Sequence, residues 1–335
     1  MKIVYKYWTK TKGIGGKIKN PEDFVVKESI EKKFLHAFER TGEGVKRVEG
    51  PYTLFLLRKR YMTTHKALRL IAKKMSIAVS DIGYAGLKDK FAVTEQYVTI
   101  KNPGLRGLDL DALTLVEVGK TNKHISIGNL IGNDFTITLH GCKNIENIEK
   151  IGKELTKGVP NYFGLQRFGT KRNNHVIGKL LVQRRFDEAL DKINASSHRN
   201  YSSLREVDKK MLKFFMHAYQ SWIFNETLNG YMTKSKKPLF KAVPVVGFDT
   251  KIKDDKIGRL IKNILIREKI KPTDFRIREL KIVCRGSKRD AFIRVNLSSD
   301  SDADKVVLRF VLPKGSYATN IIREISKNEK EKVVS

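Results

Sequence analysis

The residues best suited to chemistry lie in one contiguous stretch, Gly86-Leu87-Lys88-Asp89-Lys90-Phe91-Ala92-Val93-Thr94-Glu95-Gln96. It sets one carboxylate, Asp89, between two ammonium groups in a polar, turn-prone segment that leads into the strand-like run Tyr97-Val98-Thr99-Ile100. Flanking positive charge favours a carboxylate as the anion, the form that a nucleophile or a catalytic base requires. Lys-Asp-Lys equally suits an ordinary solvated turn with weak ion pairs. A second stretch, Asn161-Tyr162-Phe163-Gly164-Leu165-Gln166-Arg167-Phe168-Gly169, interleaves aromatic rings with amides and an arginine. Such a set can stack a base and bind its phosphates. Buried rings at a strand edge beside a capping asparagine account for the same composition.

Other chemistries find less support. The glycine cluster Gly13-Ile14-Gly15-Gly16-Lys17 lacks the spacing of a phosphate loop, and no helical pattern follows it. The two cysteines, Cys142 and Cys284, are far apart, and the seven histidines are scattered. Neither set forms a metal-ligand motif, and the cysteines fit a reducing compartment without a disulfide framework. Carboxylates are not clustered, which argues against a metal-dependent nuclease.

Composition names the partner class. Sixty-seven Lys and Arg stand against 36 Asp and Glu, a net charge of +31, while 40% of the 335 residues are hydrophobic and can build cores. The partner expected of such a chain is a polyanion, above all a nucleic acid, because phosphates neutralised along a basic surface release counterions. No apolar run is long enough to span a bilayer and the N-terminus lacks an apolar signal core, so a cytoplasmic protein with no membrane partner is expected.

The elements that must position these stretches follow from periodicity. Residues 52–57 form a continuous apolar run, a buried strand. A helix capped by Thr63 or Thr64 buries Ala67, Leu68, Ile71, Ala72 and Met75 and turns Lys66, Arg69, Lys73 and Lys74 outward. Strands are expected at 24–28, 113–118, 125–130 and 135–139, and a loop or weak hairpin at 32–46. Ile145, Ile148, Ile151 and Leu155 mark a helix that ends at Gly158-Val159-Pro160. From about Thr170 the texture turns helical, with a long helix over 206–228 whose Phe214, Phe215, Ala218 and Trp222 read as packing. Strands at 292–295 and 306–311 flank a polar loop, residues 298–304. Leu312 to Ile325 reads as a turn into a short helix, and the charged tail from Lys327 is expected to fray.

Four ordered stretches agree on one family. Pro21-Glu22-Asp23-Phe24-Val25-Val26, Gly86-x-Lys88-Asp89-x-x-Ala92-Val93-Thr94-x-Gln96, Val159-Pro160-Asn161-Tyr162-Phe163-Gly164-x-Gln166-Arg167-Phe168-Gly169, and Leu312-Pro313-x-Gly315-Ser316-Tyr317-Ala318-Thr319 with Arg323-Glu324 resemble the TruD-type tRNA pseudouridine synthases. The resemblance implies an α+β fold: a pseudouridine synthase catalytic domain with a mixed, mainly antiparallel sheet, plus an inserted family-specific α/β (TRUD) domain. It places the first part of the catalytic domain at residues 1–169, the insertion at 170–308, and a return segment with the charged tail at 309–335. It implies isomerisation of a uridine in tRNA, at position 13 of the D-arm by family analogy, without cofactor or metal. It makes Asp89 the catalytic aspartate, as nucleophile or as base. Phe163 would stack on the uracil, since a phenyl ring cannot transfer protons, and Asn161 would hold the active-site loop or the aspartate. Lys88, Gln166 and Arg167 join the substrate-binding set. The family pattern has a lysine three residues before the proline; here that position is Ile18, and Lys17 and Lys19 on either side are the candidates. The expected partner is tRNA, with other structured RNA as the wider class, and the expected state is a monomer. A non-catalytic RNA-binding protein on the same scaffold is the competing reading; intact Lys88-Asp89 and Asn161-Phe163 elements speak against it.

Overall fold

A computed structural model describes residues 1–35, 38–41, 44–47, 50–101, 107–196 and 199–328. Alternation along residues 135–139 is realised as expected: Phe135, Ile137 and Leu139 are buried and Thr136 and Thr138 are less so. They belong to a large sheet whose strands, in chain order, are β1 (Gly15–Lys17), β2 (Phe24–Ile30), β3 (Tyr52–Arg60), β4 (Ile82–Tyr84), β5 (Val93–Lys101), β6 (Gly107–Leu110), β7 (Leu113–Thr121), β8 (Leu130–Cys142), β9 (Ser298–Asp302) and β10 (Lys305–Pro313). The spatial order is β9-β10-β8-β2-β5-β3-β7-β6, with β1 added to β8 and β4 to β5. The β2–β5 pair is parallel, with Val25 opposite Val93, and the other pairs are antiparallel. The sheet is therefore mixed and mainly antiparallel, as the family resemblance implies.

This pairing decides where the chemistry can sit. β5 begins at Val93, directly after the Asp89 stretch, and the antiparallel β3 reaches the same sheet end with Arg60 opposite Val93. The start of β2 arrives there as well.

Helices cover the sheet. Helix α1 (Thr64–Met75) is capped by Thr63, whose side chain accepts from the Lys66 amide, and buries Ala67, Leu68, Ile71, Ala72 and Met75. These meet Phe55, Leu57, Val98 and Ile100 from the strands. Each such side chain contributes about 1.5–3 kcal/mol on leaving water. Helices α2 (Ile148–Thr156) and α7 (Ala318–Ser326) add Ile148, Ile151, Leu155, Ile321, Ile322 and Ile325 to a second cluster with Phe135, Ile137, Leu308 and Phe310. A separate core, built from residues between Tyr162 and Phe292, surrounds α5 (Lys209–Lys234), against which α3 (Asn174–Val182) and α6 (Lys256–Arg267) pack; α4 (Phe186–Asn194) packs on α3.

Several local expectations need correction. Residues 125–129 are a turn rather than a strand: Gly128 has φ +102°, its amide donates to Ala85 O, and the Ser126 amide donates to Asn129 Oδ1 at 2.7 Å. Residues 298–302, read as a polar loop, form edge strand β9, paired to β10 from Ser298 opposite Arg309. A solvated edge strand needs no apolar alternation, so its sequence resembles a loop. Phe214 is 40% exposed rather than packed. The segment 32–46, by contrast, holds the hairpin that was one of its two expected forms, Phe38–Thr41 paired with Gly44–Arg47. Of the charged tail expected to fray from Lys327, Lys327 itself is tied down, its Nζ donating to Thr9 O at 2.7 Å, and the residues after Asn328 lie outside the described residues.

Candidate active site

The Asp89 loop is held at four points. Gly86 O accepts from Gln96 Nε2 at 3.2 Å, and the Lys88 amide donates to Thr64 Oγ1 at 2.8 Å. Thr64 Oγ1 in turn donates to Gln96 Oε1 at 3.2 Å, so the first residue of α1 and the fourth of β5 brace the loop together. The Lys88 ammonium forms an ion pair with Glu28 of β2; the two side chains are 5% and 0% exposed. Burial pushes the Glu28 carboxyl up and Lys88 offsets part of that shift. Glu28 Oε1 has no hydrogen-bond partner, so this pair is bought at a desolvation cost. Finally, Lys59 Nζ donates to Asp89 O at 2.9 Å and to Met62 O at 2.7 Å.

Asp89 itself is exposed and lines a cavity of about 770 Å³. Lys88, Lys90 and Phe91 line it from the same loop, and Tyr61 and Thr63 from the approach to α1. Leu165, Gln166, Gly169, Thr170 and Arg172 line it from the second motif and the residues after it, and α7 contributes Thr319, Asn320 and Arg323. One carboxylate thus faces a cavity bordered by Lys88, Lys90, Arg172 and Arg323, an arrangement suited to an anionic ligand presenting one reacting group to Asp89.

The second motif is built around an arginine. Arg289 donates from Nε to Asn161 O at 2.8 Å, from Nη2 to Asn161 Oδ1 at 2.7 Å and Tyr162 O at 3.2 Å, and from Nη1 to Gly315 O at 2.8 Å. Asn161 Nδ2 donates to Asp290 O at 3.1 Å. Asn161 therefore fixes the Arg289 strand, Ser287–Asp290, to the motif, and none of these bonds reaches Asp89. The Phe163 ring lies edge-on to Phe224 at 5.4 Å, and one face is covered by the Arg289 guanidinium at 4.2 Å. Its backbone is clamped by Asn225, which accepts from Phe163 N and donates to Phe163 O, and by the Tyr5 hydroxyl at 2.8 Å. Gly164 admits the Tyr317 ring; a Cβ there would lie 2.6 Å from Tyr317 Cδ1.

The structure thus brings Asp89, Lys88 and Gln166 to one cavity and sets other expected residues apart from its lining. Phe163 does not line the cavity. Arg167 turns to α5, donating from Nε to Ser221 Oγ at 3.1 Å. Lys17 is in β1 opposite His140, and both Lys17 and Lys19 are exposed; Ile18 between them lines the cavity.

Sequence reasoning missed Lys59, Glu28, Arg289 and the N-terminal segment. Tyr5 lines the cavity, and Arg323 stacks on Tyr7 at 3.8 Å while donating to Tyr5 O. Glu324 accepts from the Trp8 and Thr9 amides, tying that segment to α7. Lys59 did leave a signal: it occupies the next inward position of a strand after Phe55 and Leu57, where an apolar residue is expected. Among the described residues no three His, Cys, Asp or Glu side chains converge as a metal site, and no helix is long and apolar enough to cross a membrane.

Comparison with known proteins agrees with this geometry. The chain matches the family model described as tRNA pseudouridine synthase D (TruD) over residues 4–203 and 231–325. A Thermococcus sibiricus relative that carries the name "Probable tRNA pseudouridine synthase D" is 28% identical, with 97% of this chain and 98% of the relative aligned. A Methanopyrus kandleri relative of the same name is 31% identical over 84% of this chain and 86% of its own length. A Methanosarcina mazei crystal structure described as a TruD protein superposes with a TM-score of 0.75 at 23% identity, covering 97% of this chain and 96% of its own; this likeness is one of fold.

Proposed function

The chain belongs to the TruD family of tRNA pseudouridine synthases, and from that premise we propose that it isomerises a uridine in tRNA to pseudouridine with Asp89 as the catalytic aspartate. The observation that carries this reading is the placement of Asp89: an exposed carboxylate on a loop anchored at four points, facing a cavity bordered by four cationic side chains.

The reaction breaks the bond between uracil N1 and ribose C1′, turns the base, and joins C5 to C1′. C5 gives up a proton and N1 gains one, so the product is an isomer and no group is added or oxidised. Whether Asp89 acts as nucleophile or base, the step needs a carboxylate held at one place while the detached uracil rotates nearby. Clamping Gly86, Lys88 and Asp89 to β5, α1, β2 and β3 supplies that fixity. A uridine within structured RNA must leave its stack to reach Asp89, at a cost of a few kcal/mol. Phosphate contacts by Lys90, Arg172 and Arg323, together with the net charge of +31, offset it. Phe163, with one face already covered by Arg289, contributes by shaping the wall against which the base rests.

The finer assignments follow from family analogy: the target is the uridine at position 13 of the D-arm, and the enzyme acts as a cytoplasmic monomer. We also assign the chain two working parts. The large sheet carries the chemistry, and the core formed between Tyr162 and Phe292 is an insertion that enlarges the RNA-docking surface.

The test is pseudouridine mapping on tRNA incubated with the protein and with Asp89→Asn, using selective chemical labelling because the isomerisation leaves mass unchanged. Wild type is expected to modify one D-arm uridine, and the variant to bind tRNA without modifying it. Full turnover by the variant, read as tritium release from tRNA labelled at uracil C5, would remove Asp89 from the chemistry. Binding without isomerisation by wild type would leave a non-catalytic RNA-binding protein.

A further inference from the structure

Lys59 breaks the pattern of its own strand. Phe55 and Leu57 occupy successive inward positions of β3 and pack against α1, and the next inward position carries an ammonium group on a residue only 1% exposed. Burying an ammonium is costly, and an apolar side chain of similar length would fill the place at less cost. Such local violations concentrate where function needs them. The head group is spent on two main-chain acceptors, Met62 O at the approach to α1 and Asp89 O, and makes no ion pair with a carboxylate among the described residues. Its partners are thus the carbonyl of the proposed catalytic residue and the turn that leads into the helix bracing the same loop.

We propose that Lys59 is a positioning residue for the reaction: it fixes the Asp89 main chain from below and keeps a positive charge next to the carboxylate that faces the uridine. The proposal rests on the reading of Asp89 as catalytic. It also accounts for a feature of this chain, since Ile18 occupies the cavity wall where the family pattern has a lysine, and Lys17 and Lys19 do not line the cavity. The charge beside Asp89 comes instead from Lys59 of β3, bonded to the Asp89 carbonyl.

Lys59 is set to change charge within the range of ordinary assays. Burial pushes its ammonium down to about 8; the Asp89 charge works against that shift and the Lys88 charge with it. Among the described residues, Asp89 and Lys88 are the charged groups that act on it. Thr94 of β5 and Leu113 of β7 stand opposite Lys59, Arg58 and Arg60 on its own strand pair outward with Glu95 and Asp111, and α1 presents apolar side chains to this face. Below about pH 8 the cation is present, and above it the charge and its directed hydrogen bonds weaken.

The experiment compares kcat/KM for tRNA across this range, with binding affinity measured in parallel, for wild type, Lys59→Met, Lys59→Arg and Asp89→Asn. Wild type is expected to lose activity above about pH 8. Lys59→Met is expected to bind tRNA as wild type does, turn over about 10²-fold more slowly, and show no fall through that range. Lys59→Arg, permanently charged, is expected to recover part of the rate and also to lack the fall. A folded Lys59→Met variant that keeps the wild-type rate, or one that is slower but retains the wild-type alkaline fall, overturns the proposal. If Lys59→Met does not fold, the wild-type and Lys59→Arg profiles decide, since an identical fall in both removes Lys59 as its source. Asp89→Asn separates the two readings: turnover in that variant sinks the catalytic assignment, whereas an inactive Asp89→Asn beside a wild-type-like Lys59→Met sinks only the role of Lys59.

Discussion

The guanidinium of Arg289 lies 4.2 Å from the centroid of the Phe163 ring, and its nitrogens donate at the same time to Asn161, Tyr162 and Gly315. One side chain thereby joins the strand Ser287–Asp290, paired with Ala242–Val245, to the aromatic motif and to the turn before α7. Burial pushes the group down to about 10, so it is still a cation at neutral pH. A desolvated cation–π contact is worth about 2 kcal/mol, and the planar fork reaches acceptors that a single ammonium cannot reach together.

Arg289→Lys is therefore expected to destabilise the protein by about 3 kcal/mol, because buried carbonyls lose their donors. Turnover on tRNA should fall with it as the wall formed by Leu165 and Gln166 loosens. Denaturant unfolding followed by tryptophan fluorescence reads the first effect and tritium release the second. Unchanged midpoint and rate would show that the fork holds nothing that matters.

The buried pair of Glu28 and Lys88 gives a different signature. Glu28→Gln leaves an ammonium buried against a neutral partner and is expected to cost about 3 kcal/mol, and Lys88→Met leaves the carboxylate stranded at a similar cost. The double variant has no buried charge left, so it should be less destabilised than the sum of the singles by about 2 kcal/mol. Strict additivity in the double-mutant cycle would mean that the pair is not coupled in solution.

These cases also explain what could be read in advance. The loop that carries Asp89 was legible as a turn leading into a strand because its residues form one uninterrupted stretch, and Phe135, Ile137 and Leu139 because alternation is a local property. The partners that hold the Asp89 loop and the second motif are not local: Lys59 is 30 residues from Asp89, Glu28 is 60 from Lys88, and Arg289 is 128 from Asn161. Only the register of β2, β3 and β5 brings the first two to the loop, and no periodicity encodes that register. Apolar residues misled at 125–129, where Gly128 turns the chain, and their scarcity misled at β9, where an edge strand needs few. Phe163 was placed by motif in the site, but one face of its ring is covered by Arg289, which arrives from a strand 126 residues on in sequence, and the ring does not line the cavity.

His175 offers a test of the second core that is independent of the chemistry. It is fully buried on α3, edge-on to Phe168 at 5.1 Å and stacked on Trp222 at 6.4 Å, with Nε2 3.3 Å from Met1 O and Nδ1 without a partner. Burial pushes the imidazole down from 6.5 to about 4; the Met1 carbonyl works against that shift and the N-terminal charge adds to it. Above pH 6.5 both folded and unfolded chains carry it neutral, so it contributes no pH dependence there. As pH falls through 6.5 the unfolded chain takes up a proton that the folded chain refuses until about 4, so stability should decline across that window and then level off. His175→Gln removes the titrating group, so its unfolding midpoint, whatever its value at neutral pH, should change less than that of wild type on acidification through the same window. Parallel curves for the two proteins would show that His175 takes its proton equally well in both states, and that the core between Tyr162 and Phe292 opens to water around α3.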